Sequence, residues 1–451
     1  MLQINQYHHV SRHLISMSML LICSMPSVGS AAGLGTILHQ VEHSAPQLHA
    51  ANAKEAASNA GVGIAKSQYW GHAETFAQTT HYNNDRLVNP IAYPPVLKRS
   101  LFDNNTYGYG AAYTLPIDID GRITAKVNAQ EHLHQAASEG AKQTRLALFG
   151  QAVTLYRGLQ RLEGVKQALQ EQHKALLGHQ KITATSVRVG RVAAVELLRI
   201  KAELKSVEGQ LAGLTGDEAR LRSSLARLLN IQYFNKPVGK LSKMPTTNRI
   251  RNPNHKALQN RPDLAAAKSF TRAEDENLKG ANREWLPKLS LRAETMYNKG
   301  FTASGANNWS VNAQLSWQFW DGGRRFAHTD QAKANREIAK QQYQDVLNQA
   351  QAELTSAQAN WQAAALQYQA TTAGLKASIE NERIQSDRFT SGRISSVDLI
   401  DAEAALARAR ADHTSALANW WLADDQLYLA IGKEPSAYHT HTTQQESHHA
   451  K

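Results

Sequence analysis

The sequence predicts a mainly α-helical fold with a membrane β-barrel, in which each chain contributes four strands and a set of long coiled-coil helices. Three observations predict this class. One segment alternates strictly between apolar and polar residues, two segments carry large apolar residues at intervals of seven, and the second half of the chain repeats the first. Periods of two and seven are those of a half-buried strand and of a coiled-coil helix.

The alternating segment covers residues 309–319 and predicts a β-strand. Its apolar face carries Trp309, Val311, Ala313, Leu315, Trp317 and Phe319. A membrane-spanning strand needs roughly 9 to 11 residues, apolar toward lipid and polar toward a wet lumen, with aromatic residues near the interfaces. The segment meets these requirements, so we expect this face to contact lipid. A soluble sandwich, in which the apolar face covers a core, is the alternative interpretation.

A second strand of the same type lies in the first half of the chain. Tyr107, Tyr109 and Tyr113 fall on one face and small residues on the other, so we expect these tyrosines to face lipid as well. Each half contains one further extended segment, around residues 73–77 and 289–297. A proline- and asparagine-rich segment, residues 83–105, is predicted to be a long loop.

Residues 1–32 have the order of a secretory signal peptide. Basic side chains precede an apolar run, and small residues follow it up to Ala32. The only cysteine, Cys23, lies in this segment, and lipidation there is an alternative that the bulky Ile22 disfavours. Beyond residue 32 no run of about 18 apolar residues occurs, so the sequence predicts no membrane-spanning helix in the exported chain.

A long helix is predicted from Gly121 to about Val187, and a shorter one follows the break at Gly190 and ends near Asn230. Large apolar residues recur every seven positions in both halves: Leu148, Leu155, Leu162, Leu169 and Leu176, then Leu347, Leu354, Trp361, Tyr368 and Leu375. At 1.5 Å per residue, a helix of about 65 residues is about 100 Å long. A compact globular domain has no use for such a length.

The two halves align over their helical parts when the sequence is shifted by 202 positions, without a gap. We therefore predict a first structural repeat at residues 33–235, a linker at 236–253, a second repeat at 254–435 and a polar, histidine-rich tail at 436–451. Asp321 is expected to cap the long helix of the second repeat.

Four strands cannot close into a barrel around a wet lumen, and an open sheet edge in lipid leaves backbone groups unpaired at several kcal/mol each. Several chains must therefore combine their strands. Three chains give twelve strands, a plausible pore, and cyclic symmetry closes the ring. The net charge of +12 does not indicate a nucleic-acid partner, because the basic residues are spread along helices among acidic neighbours.

The segment FTSGRISSVDLIDA, residues 389–402, resembles the helix-tip sequence of the TolC-like outer-membrane efflux proteins, also called outer-membrane factors. FWDGGR, residues 319–324, is similar to the strand-to-helix junction of that family. The resemblance covers nearly the whole exported chain. It implies a homotrimer without a cofactor, a twelve-stranded barrel and a helical periplasmic tunnel. It also implies an exit duct for efflux or type I secretion that docks to an inner-membrane transporter through a periplasmic adaptor.

The resemblance matches Asp398 and Asp401 to the paired aspartates of the closed periplasmic aperture, where threefold symmetry gathers six carboxylates. Read without the family, the two residues are solvated charges or a pair at a helix N-terminus. Their counterparts in the first repeat are Glu196 and Arg199. We expect Arg199 to pair with an acidic residue of a neighbouring hairpin and to hold the aperture shut.

Gly190 with Arg191, and Gly392 with Arg393, are expected at the two helix tips. Glycine there permits the positive φ of a helix break, and the family resemblance adds that these tips contact the adaptor. Arg122 and Arg324 are expected to be structural residues at the strand-to-helix corners.

Two other functions are compatible with parts of the sequence. His39, Glu42 and His43 fit the H-x-x-E-H pattern of inverted zinc proteases, although no third ligand is evident in the sequence nearby, and we expect no resident metal. A soluble periplasmic coiled-coil scaffold would explain the helices, but not the alternation at residues 309–319. The transported substrate is not encoded in any motif that we find.

Overall fold

The computed structural model describes residues 31–91, 100–244 and 255–438. The predicted signal peptide up to Ser30, including Cys23, lies outside the described residues. So do residues 245–253 of the predicted linker and residues 439–451 of the predicted tail.

Each half of the chain contains a helix, two strands and a long helical hairpin. The first half comprises α1 (Leu34–Ser44), α2 (Pro46–Ser67), β1 (His72–Leu87), β2 (Phe102–Ile117), α3 (Arg122–Arg188) and α4 (Ala194–Leu228). The second half comprises α5 (Pro262–Asn282), β3 (Lys288–Gly300), β4 (Ala306–Ser316), α6 (Arg324–Thr390) and α7 (Ser396–Ala430). The mainly helical fold class with four strands is confirmed.

The long hairpins of the two halves are equivalent residue by residue. Helices α3 and α6 both contain 67 residues, and α4 and α7 both contain 35. Helices α3 and α6 begin and end 202 positions apart in the sequence, and so do α4 and α7. The predicted internal duplication is therefore confirmed. The two halves begin differently. The first half begins with α1, whereas the described part of the second half has only the short 3-10 turn His255–Asn260 before α5.

The core follows the seven-residue pattern. Leu148 and Leu176 of α3 are almost completely buried, and so is Leu354 of α6. Helix α1 covers α3 with its apolar face, where Ile37, Leu38 and Val41 pack in one cluster with Phe149, Val153 and Tyr156. The heptad positions therefore form the buried stripe of each hairpin.

The four strands form one antiparallel sheet in the order β1-β2-β3-β4. Pairing is in register, so that Tyr113, Ala293 and Val311 lie side by side on one face. The opposite face carries polar residues such as Arg292, which binds Glu74 at 3.1 Å and Glu294 at 2.9 Å. The sheet is thus amphipathic across β2, β3 and β4.

Two predicted boundaries in the sheet are wrong. The loop predicted at residues 83–105 is shorter, because β1 continues to Leu87 and β2 begins at Phe102. Asparagine is accommodated in these strands by cross-strand contacts, such as the 2.8 Å hydrogen bond between the side chains of His81 and Asn105.

The strand predicted at residues 309–319 ends early, so Trp317 and Phe319 are not strand residues. Its last pair is Lys288 with Ser316, and the residue before Lys288 is Pro287, which has no N–H to extend the ladder. The Trp317 indole instead donates to the Trp285 carbonyl oxygen at 3.1 Å. No helix in the described parts of the chain combines the length and the apolar character that crossing a membrane requires.

Candidate functional site: the helix tips and the ion pairs behind them

The two helical hairpins end in the same turn. Gly190 and Gly392 both have φ of +71°, and the next residues donate backwards, Arg191 to Ser186 at 2.9 Å and Arg393 to Arg388 at 2.8 Å. This pattern closes a helix C-terminus through a left-handed residue, for which glycine is the favoured type. Gly190, Arg191, Gly392 and Arg393 are exposed at the two tips, as expected.

Helix α7 begins with a capping box that uses Asp398. The Asp398 backbone N–H donates to Ser395 Oγ at 3.4 Å, and Asp398 Oδ2 accepts from the Ser395 N–H at 3.2 Å. Asp398 therefore has a structural role at this helix N-terminus. Asp401 lies one turn further on, and both carboxylates are exposed at the surface of the single chain.

Glu196 and Arg199 pair with each other within α4, with 3.6 Å between Nη1 and Oε1. Within this chain Arg199 does not reach an acidic residue of the other hairpin. The link between hairpins comes from Ser396, whose buried hydroxyl donates to Glu196. Sequence reasoning missed Ser396, because its partner lies 200 residues away.

Behind the tips, three ion pairs connect α3 of the first hairpin to α7 of the second. His179 Nε2 lies 2.5 Å from Glu403 Oε1, Arg410 Nη1 lies 2.5 Å from Glu171 Oε2, and Arg157 Nη2 lies 2.9 Å from Asp425 Oδ2. The first and last pairs are buried, and the middle pair is half-exposed. The two hairpins are thus joined by a ladder of contacts between basic and acidic side chains along antiparallel helices.

The His179–Glu403 pair is the buried contact of this ladder that lies nearer to the tips. The Glu403 side chain is 3% exposed, and the Phe389 ring meets the imidazole edge-on at 5.7 Å between centroids. Glu403 lies on the apolar stripe that Leu399 and Leu406 define, where a charged residue is a signal for a buried partner. The sequence therefore indicates that Glu403 has a buried partner, but it does not identify His179 as that partner.

The Arg157–Asp425 pair is more deeply buried. Arg157 donates to Asp425 Oδ2 through Nε at 3.1 Å and Nη2 at 2.9 Å. Asp425 Oδ1 has no hydrogen-bond partner among the described residues. Burial raises the pKa of Asp425 to about 6, although the charge and hydrogen bonds of Arg157 oppose that rise. The carboxylate is therefore costly in its charged form and depends on Arg157.

At the other end of the long helices, aspartates anchor the strand-to-helix corners. Asp118 accepts from the N–H groups of Ile123 at 2.9 Å and Thr124 at 2.8 Å. Asp321 accepts from the N–H of Arg325 at 3.2 Å and from its Nε at 2.8 Å. Asp321 thus helps to cap α6, and Arg325, not Arg324, is its partner.

The pattern His39, Glu42 and His43 does form a cluster on α1, with ligand atoms within 4.8 Å of one another. Both Glu42 oxygens accept hydrogen bonds from protein groups, Oε1 from Arg145 Nη1 at 2.9 Å and Oε2 from the Tyr438 hydroxyl, so neither is oriented toward a substrate. The geometry therefore does not support the zinc-protease alternative.

Two helical hairpins of about 100 Å, joined to an amphipathic four-stranded sheet, define the class of outer-membrane efflux channels. A family model for outer membrane efflux proteins matches residues 37–230 and 254–433, well over half of the chain. The chain belongs to the outer membrane efflux protein family. It is an outer-membrane protein and not an enzyme, so the zinc-enzyme alternative is wrong.

Curated relatives are named as outer-membrane proteins, some of efflux pumps and some of multidrug resistance. The solvent efflux pump outer membrane protein SrpC of Pseudomonas putida is 23% identical over 262 residues, which is 55% of this chain and 54% of the relative. The putative multidrug resistance outer membrane protein MdtQ of Escherichia coli is 23% identical over 339 residues, 73% of this chain and 70% of the relative. The chain thus spans about half the length of SrpC.

Solved structures share the fold over most of their length. The outer-membrane channel OprN has a TM-score of 0.77 at 19% identity, covering 88% of this chain and 89% of OprN. The outer membrane channel CmeC of Campylobacter jejuni has a TM-score of 0.74 at 17% identity, covering 98% of this chain and 97% of CmeC. These similarities establish the architecture.

Proposed function

We propose that the protein forms a homotrimeric exit duct in the outer membrane, with a twelve-stranded barrel and a tunnel of periplasmic helices. An inner-membrane transporter would supply the energy through a periplasmic adaptor. The relatives' names, which refer to solvents and multiple drugs, support efflux of small molecules. The amphipathic sheet with two open edges is the single observation that carries the proposal.

The apolar face of this sheet has no protein cover among the described residues. Trp309 is 80% exposed, Val311 67% and Leu315 63%, and Tyr107, Tyr109 and Tyr113 of β2 share the same face. A soluble sandwich would bury such a face against a second layer. Exposure of these side chains supports contact with lipid, and the Arg292 cluster on the opposite face supports a wet lumen.

The sheet edges support assembly of several chains into a ring. Strands β1 and β4 lie at the two ends of the sheet, so each presents one row of backbone groups without a strand partner among the described residues. Pairing β4 of one copy with β1 of the next satisfies both rows and closes a ring. Native mass spectrometry in detergent should give three chains per particle. A particle with one chain would overturn the proposal.

We assign the closed aperture to Asp398, Asp401, Glu196 and Arg199, which lie just behind the tips. Three copies would gather the two aspartates into a ring of negative charge that favours cations. The double substitution Asp398→Asn and Asp401→Asn removes the charge and retains an amide oxygen for the capping box. We expect the double variant to show a higher leak conductance and a weaker cation selectivity than the wild-type protein in planar bilayers.

A matched control keeps this test specific. Ser395→Ala removes the hydroxyl of the same capping box and leaves both charges in place. If the double variant has the same leak conductance and selectivity as the wild-type protein, the assignment of these aspartates to the aperture is wrong. An equal change in Ser395→Ala would show that loss of the cap, not of the charge, is responsible.

We also propose that the tips contact the adaptor through Gly190, Arg191, Gly392 and Arg393. The first tip adds exposed apolar residues, with Val189 at 59% and Leu198 at 62% exposure. Arg191→Glu with Arg393→Glu should reduce cross-linking to the adaptor in cells. Arg383→Glu, an exposed position further up α6, is the control. Equal cross-linking in both variants would contradict the assignment.

A further inference from the structure

The cluster on α1 lies where the end of the chain returns to the first hairpin. His39 and His43 are separated by one helical turn, and Glu42 lies between them. Tyr438, beyond the end of α7, stacks on the His39 ring at 4.3 Å between centroids. We propose that His39, Glu42 and His43 form a non-catalytic binding site for a divalent transition-metal ion such as Zn²⁺ or Cu²⁺. This inference does not depend on the proposed function.

The helix brings the two imidazoles to the same side. Residues four apart on a helix have Cβ atoms about 5–6 Å apart, so both rings can reach one ion. Imidazole suits Zn²⁺ and Cu²⁺. The opposite face of α1 is fixed, because Leu38 and Val41 are completely buried against α3. The ligands therefore project from a rigid support.

The third ligand is the Glu42 carboxylate. Its Oε2 lies 4.0 Å from His39 Nδ1. Two ligand atoms bound to the same metal ion lie closer together than this, so side-chain movements of about 1 Å are enough to bring them into position. Arg145 can stay on Oε1, since a carboxylate offers about four lone-pair sites. The ion would replace the Tyr438 hydroxyl on Oε2.

The local charge favours a cation. Arg145 is shared between Glu42 and Glu434, so two carboxylates face one guanidinium.

The histidine-rich tail must be separated from this site. The sequence beyond Tyr438 contains His439, His441, His448 and His449, which bind metal ions by composition alone. The experiment therefore uses the full chain with these four histidines replaced by alanine. We expect calorimetric titration of this background with ZnCl₂ to give one ion per chain.

His43→Ala is the first test variant, because His43 is exposed and its loss leaves the packing of α1 intact. Affinity should fall at least about 10- to 100-fold, the range seen even for residues that only orient metal ligands. His132→Ala, on α3 and outside the cluster, should bind as the background does. Unchanged binding in His43→Ala, or no binding in the background, would overturn the proposal.

Two further measurements identify the ligands. With Cu²⁺, the electron paramagnetic resonance spectrum should show coupling to two nitrogens in the background and to fewer in His43→Ala. Tyr438→Phe retains the ring and removes the competing hydroxyl, so Zn²⁺ affinity should not fall. A fall in that variant would exclude Glu42 Oε2 as the third ligand.

Discussion

Helices α3 and α6 have the same length and equivalent positions in the two halves, but their surroundings differ. Helix α3 packs against α2, α4, α5 and α7, whereas α6 packs mainly against α5 and α7. Phe149 of α3 is completely buried, while Leu366 of α6 is 66% exposed. A single chain therefore completes the environment of α3 and leaves α6 at an edge, where we expect the next copy to bind.

The largest expected difference between the two helices concerns their ion pairs. Arg157→Ala on α3 leaves the buried Asp425 carboxylate without its countercharge, which should cost about 3–5 kcal/mol of unfolding free energy. Arg336 of α6 pairs with Asp275 at a half-exposed site, and Arg336→Ala should cost no more than about 1 kcal/mol. Guanidinium unfolding followed by circular dichroism in detergent measures both. Equal losses would contradict the expected difference between the ion pairs of α3 and α6.

The next difference concerns apolar positions. Leu148→Ala opens a cavity in the core around α3 and should cost about 2–5 kcal/mol. Leu366→Glu lies on the exposed side of α6 and should leave the chain folded, but lower the fraction of trimer because it puts a charge into the expected interface. Guanidinium unfolding measures the loss of stability in Leu148→Ala, and native mass spectrometry measures the trimer fraction of Leu366→Glu. A Leu366→Glu protein that remains fully trimeric would place the interface elsewhere.

The pH dependence of stability should differ between equivalent positions of α7 and α4. The pKa of Asp425 is raised to about 6 from about 3.9 in the unfolded chain, so the folded state binds the proton more tightly. This contribution to stability is present below pH 4 and is lost as the pH rises through about 6, by up to about 3 kcal/mol. The equivalent residue of α4 is Ser223, which does not titrate.

Unfolding of wild type and Asp425→Asn between pH 4 and 7 measures this contribution. The stability of wild type relative to the variant should decline with rising pH across that window. A constant difference would show that Asp425 keeps an ordinary pKa in the fold.

The smallest expected effect concerns the histidine pairs. His179→Ala leaves buried Glu403 unpaired between the two hairpins and should cost about 1–3 kcal/mol. If that loss falls on the closed arrangement, open-channel occupancy rises about tenfold for each 1.4 kcal/mol. His328 of α6 pairs with Glu284 at 2.9 Å near the surface, and His328→Ala should leave bilayer conductance unchanged. Equal conductance in both variants would show that the His179–Glu403 contact does not stabilise the closed channel.

The sequence predicts most of the helical architecture, because a gapless shift of 202 residues carries the hairpins from one half to the other. Strand ends are less predictable. Strand β4 ends at Ser316 because its partner β3 begins after Pro287, and the alternation within residues 309–319 gives no information about β3. The ion pairs were missed for a related reason. Arg157 and Asp425 meet only because α3 packs on α7, and periodicity within one hairpin does not specify that neighbour.

The described part of the second half contains no helix equivalent to α1, and this difference separates the two hairpins. Phe149 and Tyr156, which α1 covers, correspond to Gln351 and Gln358 at the same offset. The duplicated halves have therefore diverged into non-interchangeable parts. A protein built from two copies of the first half would carry a second apolar cover in place of the exposed side of α6, where we expect the next copy to bind.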